Sequence, residues 1–259
     1  MTTLIALFAA GILGGLLLGM IGVGMALIAV PVLTFALPHL GVPVALAPVV
    51  ALATSMGIVT IGSVGSVVAH SRLGNVDWPV VRRMVPYSLL GVALGSVVVV
   101  WLPGVALRSI FAAFLVFVGL RMPMGKTQAQ AAPLSAGTLR AAGGAIGFAG
   151  ALIGAGGGVF MVPFLNGRGW PMVRAVATSA TIGLPVTAFG TVFHALRPLD
   201  GVTAPMLGSI HLPALIGIGF GSLIGAPIGA RLASRLPGAL LKKGFALLLL
   251  ILAVELVRH

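Results

Sequence analysis

The chain has no cysteine, only three acidic residues among 259, and charged residues make up 7% of it. Without thiols there are no disulfides, no thiolate metal ligands and no cysteine nucleophile, while the redox compartment stays open. The three acids, Asp77, Asp200 and Glu255, all lie near the ends of apolar stretches. A cation pump or proton relay places carboxylates inside the membrane, and none is so placed here. There is no Walker A or HExxH motif, and no nucleophile, base and orienting group stand in a recognisable set. We therefore expect no catalytic residues, no metal site, no cofactor and no enzymatic activity.

What is present is apolar: 59% of residues are hydrophobic, with a mean hydropathy of +1.21. No water-soluble fold buries that much apolar surface, so the chain reads as an integral membrane protein partnered by the lipid bilayer. Eight apolar stretches are mostly long enough to cross a hydrocarbon core of ~30 Å. Helices are expected, because backbone in lipid must satisfy its own hydrogen bonds, and the runs lack the alternation of a β-barrel. No Lys or Arg precedes the first run, which exceeds a signal-peptide core, so no cleaved signal is expected. The formal net charge of +12 fits the basic cytoplasmic loops of membrane proteins better than nucleic-acid binding.

One pattern occurs twice. Gly15 to Leu33 reads GLLLGMIGVGMALIAVPVL, and Gly147 to Leu165 reads GFAGALIGAGGGVFMVPFL. Superposed, Gly15, Ile21, Gly22, Gly24, Val30, Pro31 and Leu33 fall on Gly147, Ile153, Gly154, Gly156, Val162, Pro163 and Leu165. With the next loop shortened by eight residues in the second copy, Thr54, Ser55 and His70 fall on Thr178, Ser179 and His194. After a ten-residue insertion, Pro79, Ser88, Gly91 and Gly95 fall on Pro213, Ser222, Gly225 and Gly229. We read residues 1–123 as a first membrane repeat, 124–137 as a polar linker and 138–259 as a second repeat.

Charge sets the expected orientation. If each of eight stretches crosses once, eight basic residues share one side and seven the other, against the positive-inside rule. If each opening stretch instead folds into a hairpin at its glycines, Arg108, Arg197 and Arg258 face twelve basic residues on the opposite side. The expected fold is thus all-α and polytopic, with two inverted halves. Each half opens with a glycine-broken helical hairpin followed by three transmembrane helices, and both termini are periplasmic. Six crossings with two re-entrant hairpins and ten crossings have the same parity.

Glycine lets the chain adopt geometries closed to other residues and lets a ligand approach main-chain N–H groups. A helix restarting after Gly154, Gly156, Gly157 and Gly158, or after Gly22 and Gly24, presents unpaired N–H groups and a positive dipole end, which bind anions. The hydroxyls of Thr54, Ser55, Thr178 and Ser179 recur at matched positions and can donate to a bound oxyanion, or bond back to their own helix. His70 and His194 end the same segments and are candidates for gating or proton coupling, beside the plainer role of capping carbonyls. Arg174, one turn before Thr178, is a candidate to draw an anion to one mouth, or is an ordinary positive-inside arginine. Gly11, Gly15, Gly91, Gly95, Gly225 and Gly229 suit close helix packing.

With both glycine motifs, the Ala53-Thr54-Ser55 and Ala177-Thr178-Ser179 elements and the Gly74-Asn75-Val76-Asp77-Trp78 loop, the chain resembles the TauE/SafE family of sulfite exporters and related anion permeases. That resemblance implies movement of sulfite, sulfonates or other small organic anions across the bacterial inner membrane. The first half departs from the pattern, since Met25 and Ala26 stand opposite Gly157 and Gly158. Export needs no coupling ion because the membrane potential already drives anions outward, so the scarcity of buried carboxylates leans toward export. The competing reading is a membrane scaffold or assembly factor for a partner protein, and a homo-oligomer remains open under either.

Overall fold

The computed structural model describes residues 2–21, 25–121, 135–233, 247 and 250–254. Gly22, Gly24, most of the 124–137 linker and the C-terminal end lie outside the described residues.

The opening stretch forms α1 (Thr2–Ile21) and α2 (Ala26–Ala36), the latter continued by a 3-10 turn over Leu37–Leu40. Then come α3 (Ala47–Arg72), α4 (Trp78–Trp101) and α5 (Gly104–Arg121). The second copy gives α6 (Ala136–Leu152), α7 (Gly158–Asn166) and α8 (Met172–Ala195). A short antiparallel hairpin of β1 (Met206–Leu207) and β2 (Ile210–His211) leads into α9 (Leu212–Ala233), and residues 250–254 are helical. Among the described residues, α3, α4 and α8 are long and apolar enough to cross a membrane. The nine residues of α7 rise only ~14 Å, less than half the hydrocarbon core.

Side-chain acceptors start several helices. Asp77 caps α4 by accepting from Val80 N–H at 3.2 Å, with Pro79 in the first turn. Ser135 accepts from Thr138 N–H at 3.1 Å, starting α6 within the stretch assigned to the linker. His211 Nδ1 accepts from Ala214 N–H at 3.2 Å at the head of α9.

The helices interlock across the sequence midpoint. α1 packs along α9 and α6 along α4, while α3 and α8 meet at the centre, with Thr60 and Thr191 hydroxyls 3.3 Å apart. Glycines set these approaches. A Cβ on Gly11 would stand 2.6 Å from Ile218 O, and one on Gly143 would stand 2.9 Å from Met84 O. Gly91 abuts Gly144 and Phe148, and Gly225 abuts Ile12 and Leu16. Glycine thus serves backbone-to-backbone packing at Gly11, Gly91, Gly95 and Gly225, as small residues do in lipid. Leu90, Leu94, Phe220 and Ile224 point outward on α4 and α9, exposed as lipid-facing positions should be.

A test follows from the α4–α6 contact. Gly91→Ala is expected to lower stability by about 1–3 kcal/mol, the usual cost of overpacking. Gly65→Ala, where nothing lies within 4 Å, should leave stability unchanged or slightly raised. Thermal unfolding of the two variants in detergent reads the difference, and equal midpoints would remove the packing role.

Candidate functional site

The interruption between α6 and α7 is the centre of the candidate site. α6 ends as Ile153 and Gly154 N–H groups fold back onto Ala149 and Ala151 carbonyls, and Ala155 N–H donates to Gly150 O at 2.8 Å. Gly154 and Gly157 take φ of 67° and 76°, the left-handed region that L side chains avoid. Gly157 is the N-cap of α7, and its carbonyl accepts from Phe160 and Met161 N–H. The helix then restarts at Gly158, whose amide and that of Val159 belong to the first turn, where intrahelical acceptors are absent.

This break is wedged between α3 and α8. A Cβ on Gly154 would stand 3.0 Å from Leu52 O of α3, and one on Gly156 would stand 2.8 Å from Gly183 O and Thr187 Cγ2 of α8. Ser179 Oγ donates to Gly158 O at a long 3.4 Å, which places its hydroxyl beside the start of α7. Ser55, its counterpart in α3, is fully buried and its Oγ has no hydrogen-bond partner among the described residues. A buried hydroxyl without a partner is costly, and a water or ligand atom is its usual remedy. The structure therefore brings Gly154, Gly156, Gly157, Gly158 and Ser179 together.

Thr54 and Thr178 do something else. Thr54 Oγ1 accepts from His211 N–H at 3.0 Å, and Thr178 Oγ1 accepts from Asp77 N–H at 3.0 Å. The offset that carries Pro79 onto Pro213 also carries Asp77 onto His211. Each threonine thus grips the capping residue of α4 or α9 from the other half of the sequence, and the two grips occupy matched positions. Threonines 181, 187 and 191 bond back to carbonyls of their own helix and are satisfied locally.

The two grips differ in charge. Asp77 Oδ2 pairs with Arg174 at 3.2 Å, and the Arg174 guanidinium also lies 5.6 Å from the Trp170 ring. The pair is partly exposed, at 52% and 20% for the two side chains, so it adds no more than about 0–1 kcal/mol to stability. At the other grip, Val50 occupies the position that matches Arg174, and His211 is buried at 2% exposure. His211 and Asp77 as a matched pair were missed by motif reading, because a ten-residue insertion separates their loops. Counting back two residues from the matched prolines finds them.

His211 lies in β2, and burial lowers its pKa below the usual imidazole value of about 6.5. A lowered folded-state pKa means that the unfolded chain binds the extra proton more readily, so stability falls as pH drops below about 6.5. Protonation at Nδ1 would also remove the acceptor that holds Ala214 N–H. We expect His211→Asn, a good N-cap, to flatten the decline of the thermal midpoint between pH 7 and 5. A slope like that of the wild type would place the titration elsewhere.

His194, which ends α8, is fully buried, and neither ring nitrogen has a partner among the described residues. Its ring lies edge-on to Phe193, and its carbonyl accepts from Ser209 N–H at 2.8 Å. His70 sits half-buried in the last turn of α3, with Nδ1 lacking a partner among the described residues. Neither histidine is joined to the Gly154–Gly158 break by any hydrogen bond described. They stand at the far ends of the helices that flank it.

The chain is 34% identical over 250 residues to a "Probable membrane transporter protein" of Haemophilus influenzae, covering 95% of each chain. It is 27% identical over 237 residues to a protein of the same description from Methanocaldococcus jannaschii, covering 88% of this chain and 84% of that one. A third relative, from Xylella fastidiosa, is 28% identical across 98% of this chain and 95% of its own. No solved structure matches. A family model described as sulfite exporter TauE/SafE matches residues 7–256, and the chain belongs to that family of membrane transporters.

Proposed function

We propose that this transporter exports a small sulfur-containing or organic anion, such as sulfite or a sulfonate, across the bacterial inner membrane. The observation that carries the reading is the buried restart of α7. Open amides at Gly158 and Val159 form a donor pair, and the Ser179 hydroxyl beside them can turn to an anion by giving up its long 3.4 Å bond to Gly158 O. Ser55, whose buried hydroxyl in α3 has no partner among the described residues, is a further hydroxyl left open to a ligand atom. Broken helices whose N-termini face an anionic group are a recurring device of secondary transporters.

The halves act as inverted repeats that rock against one another, and the matched threonine grips support this. Thr178 with Asp77 closes one side of the path, and Thr54 with His211 closes the other. An anion arriving at Arg174 competes with Asp77 for the guanidinium and so loosens the first grip. The twelve-to-three split of basic residues supports an orientation with the Arg174 side in the cytoplasm and both termini in the periplasm. An alkaline phosphatase fusion after His259 is then expected to be active, and a cytoplasmic reporter fluorescent at the same position would overturn that orientation.

The experiment for the whole reading uses the purified chain in liposomes loaded in turn with sulfite, thiosulfate, taurine, sulfoacetate and acetate. At least one of these is expected to leave faster than from protein-free liposomes, and the same anion should raise the thermal midpoint with concentration. A protein that moves none of them but co-purifies with a partner would be a scaffold instead.

A further inference from the structure

A concave feature lies on the outer side of the molecule, with none of the glycine-break residues in its lining. It is a groove of about 440 Å³ between α4 and α8, lined by Trp78, Arg82, Val85 and Pro86 on one wall and Thr181 and Pro185 on the other. Its polarity runs along the helix axes. Trp78 and Arg82 lie in the first two turns of α4, whereas Pro86 and Pro185 lie one or more turns deeper in each helix. The mouth is therefore aromatic and cationic and the floor is apolar.

The groove opens toward lipid. Trp78 is 46% exposed, and Arg82 and Pro86 are exposed on a helix long and apolar enough to cross the bilayer. Something from the bilayer must fill it, because an empty apolar furrow forfeits its dispersion contacts. The charge at the mouth decides what. Arg82 forms no ion pair among the described residues, and the one carboxylate near it in sequence, Asp77, is taken by Arg174. Arg83 follows it, also exposed. Pro86 has no N–H to give to Arg82 O, so that carbonyl is left as an acceptor at the same level.

We infer that the α4–α8 groove binds one anionic phospholipid, its phosphate on Arg82, a headgroup hydroxyl at the freed Arg82 carbonyl and one acyl chain along Val85, Pro86 and Pro185. Trp78 holds the interfacial level, as amphipathic rings do. Phosphatidylglycerol has all three features, with a phosphate, donor hydroxyls and a flexible chain. Phosphatidylethanolamine has the phosphate and chain but brings an ammonium group toward Arg82. The inference needs only that the chain is a membrane protein, and it stands whether or not the exported anion is identified.

Native mass spectrometry of the detergent-purified chain, titrated with each lipid, tests it. The wild type is expected to retain phosphatidylglycerol about fivefold better than phosphatidylethanolamine, the factor one interfacial arginine supplies. Arg82→Gln should bring that ratio to about one with an unchanged thermal midpoint, since the side chain is exposed. Val85→Trp, which fills the furrow, should lower retention of both lipids. Equal retention by the wild type, or a preference untouched by Arg82→Gln, overturns the site. Displacement of the lipid by millimolar inorganic phosphate alone would make it a simple anion site and overturn it too. Because the chain has no native cysteine, Val85→Cys offers a clean cross-linking probe. A disulfide-linked dimer through that position in lipid would assign the groove to a second copy of the chain instead.

Discussion

Gly157→Ala is expected to lower anion efflux by about tenfold or more, the factor that loss of one charge-assisted hydrogen bond implies. Gly157 holds φ at 76°, where an L residue costs about 1–2 kcal/mol. Its new Cβ would also stand 2.7 Å from Ile146 Cγ2, a branched side chain that can give way only by moving α6. The turn relaxes toward negative φ, and the amides of Gly158 and Val159 swing away from their common focus. Gly158→Ala is the control. Gly158 is not in the left-handed region, its Cβ would meet only Ser179 Oγ at 3.4 Å, and its N–H survives. Efflux by that variant should stay within about a factor of two of wild type, since unstrained substitutions cost about 0.5 kcal/mol or less. Both proteins must elute as single species so that misfolding is not mistaken for lost binding. If both variants transport normally, main-chain amides at this turn do not hold the anion. If both fail equally while folded, the space in front of Gly158, rather than its amide, is what the substrate needs.

The position of that turn was legible in the sequence, and the reason is steric. Three consecutive glycines followed by Val-Phe-Met-Val-Pro exceed what helix packing requires, and the helix indeed stops at Leu152 and restarts at Gly158. Pro163 sits inside α7, as Pro31 sits inside α2. The packing glycines were equally readable, because Gly91 and Gly95 are spaced to lie on one helix face. The role of the threonines was not. Nothing local distinguishes a hydroxyl that faces a ligand from one that accepts a main-chain N–H more than 100 residues away, as Thr54 and Thr178 both do. The β1–β2 hairpin was also invisible, because two-residue strands carry no periodicity. His211 arrives at Thr54 only through that hairpin. Local chemistry thus marked the break, while the grips on either side of it came from tertiary contacts that no local signal encodes.

The two grips predict an asymmetry between nearly isosteric variants. Thr54→Val removes the acceptor for His211 N–H, and His211 is 2% exposed, so water cannot replace the lost bond. The cost of a buried unsatisfied amide is about 1–3 kcal/mol. Thr178→Val removes the acceptor for Asp77 N–H, but Asp77 lies at a partly exposed mouth where water can enter, so the cost there should be well under 1 kcal/mol. The Thr54 variant is therefore expected to unfold at the lower temperature, and the Thr178 variant close to wild type. If the grips close opposite ends of one path, each loss also biases the protein toward opening at its own end. The absence of native cysteine makes that measurable, with single cysteines introduced at Leu73 and Asp200, in the loops before α4 and before the β1–β2 hairpin, where both side chains are exposed and neither residue is in the left-handed region. Thr178→Val should speed labelling at the first position relative to the second, and Thr54→Val should do the reverse. Parallel changes at both positions in both variants would mean that the threonines only stabilise the fold. Opposite changes require a molecule with two alternative closures, because a ligand or mutation shifts an equilibrium only by its differential effect on the two states. A transporter working by alternating access must have two such closures, and the matched threonines are where this chain can supply them.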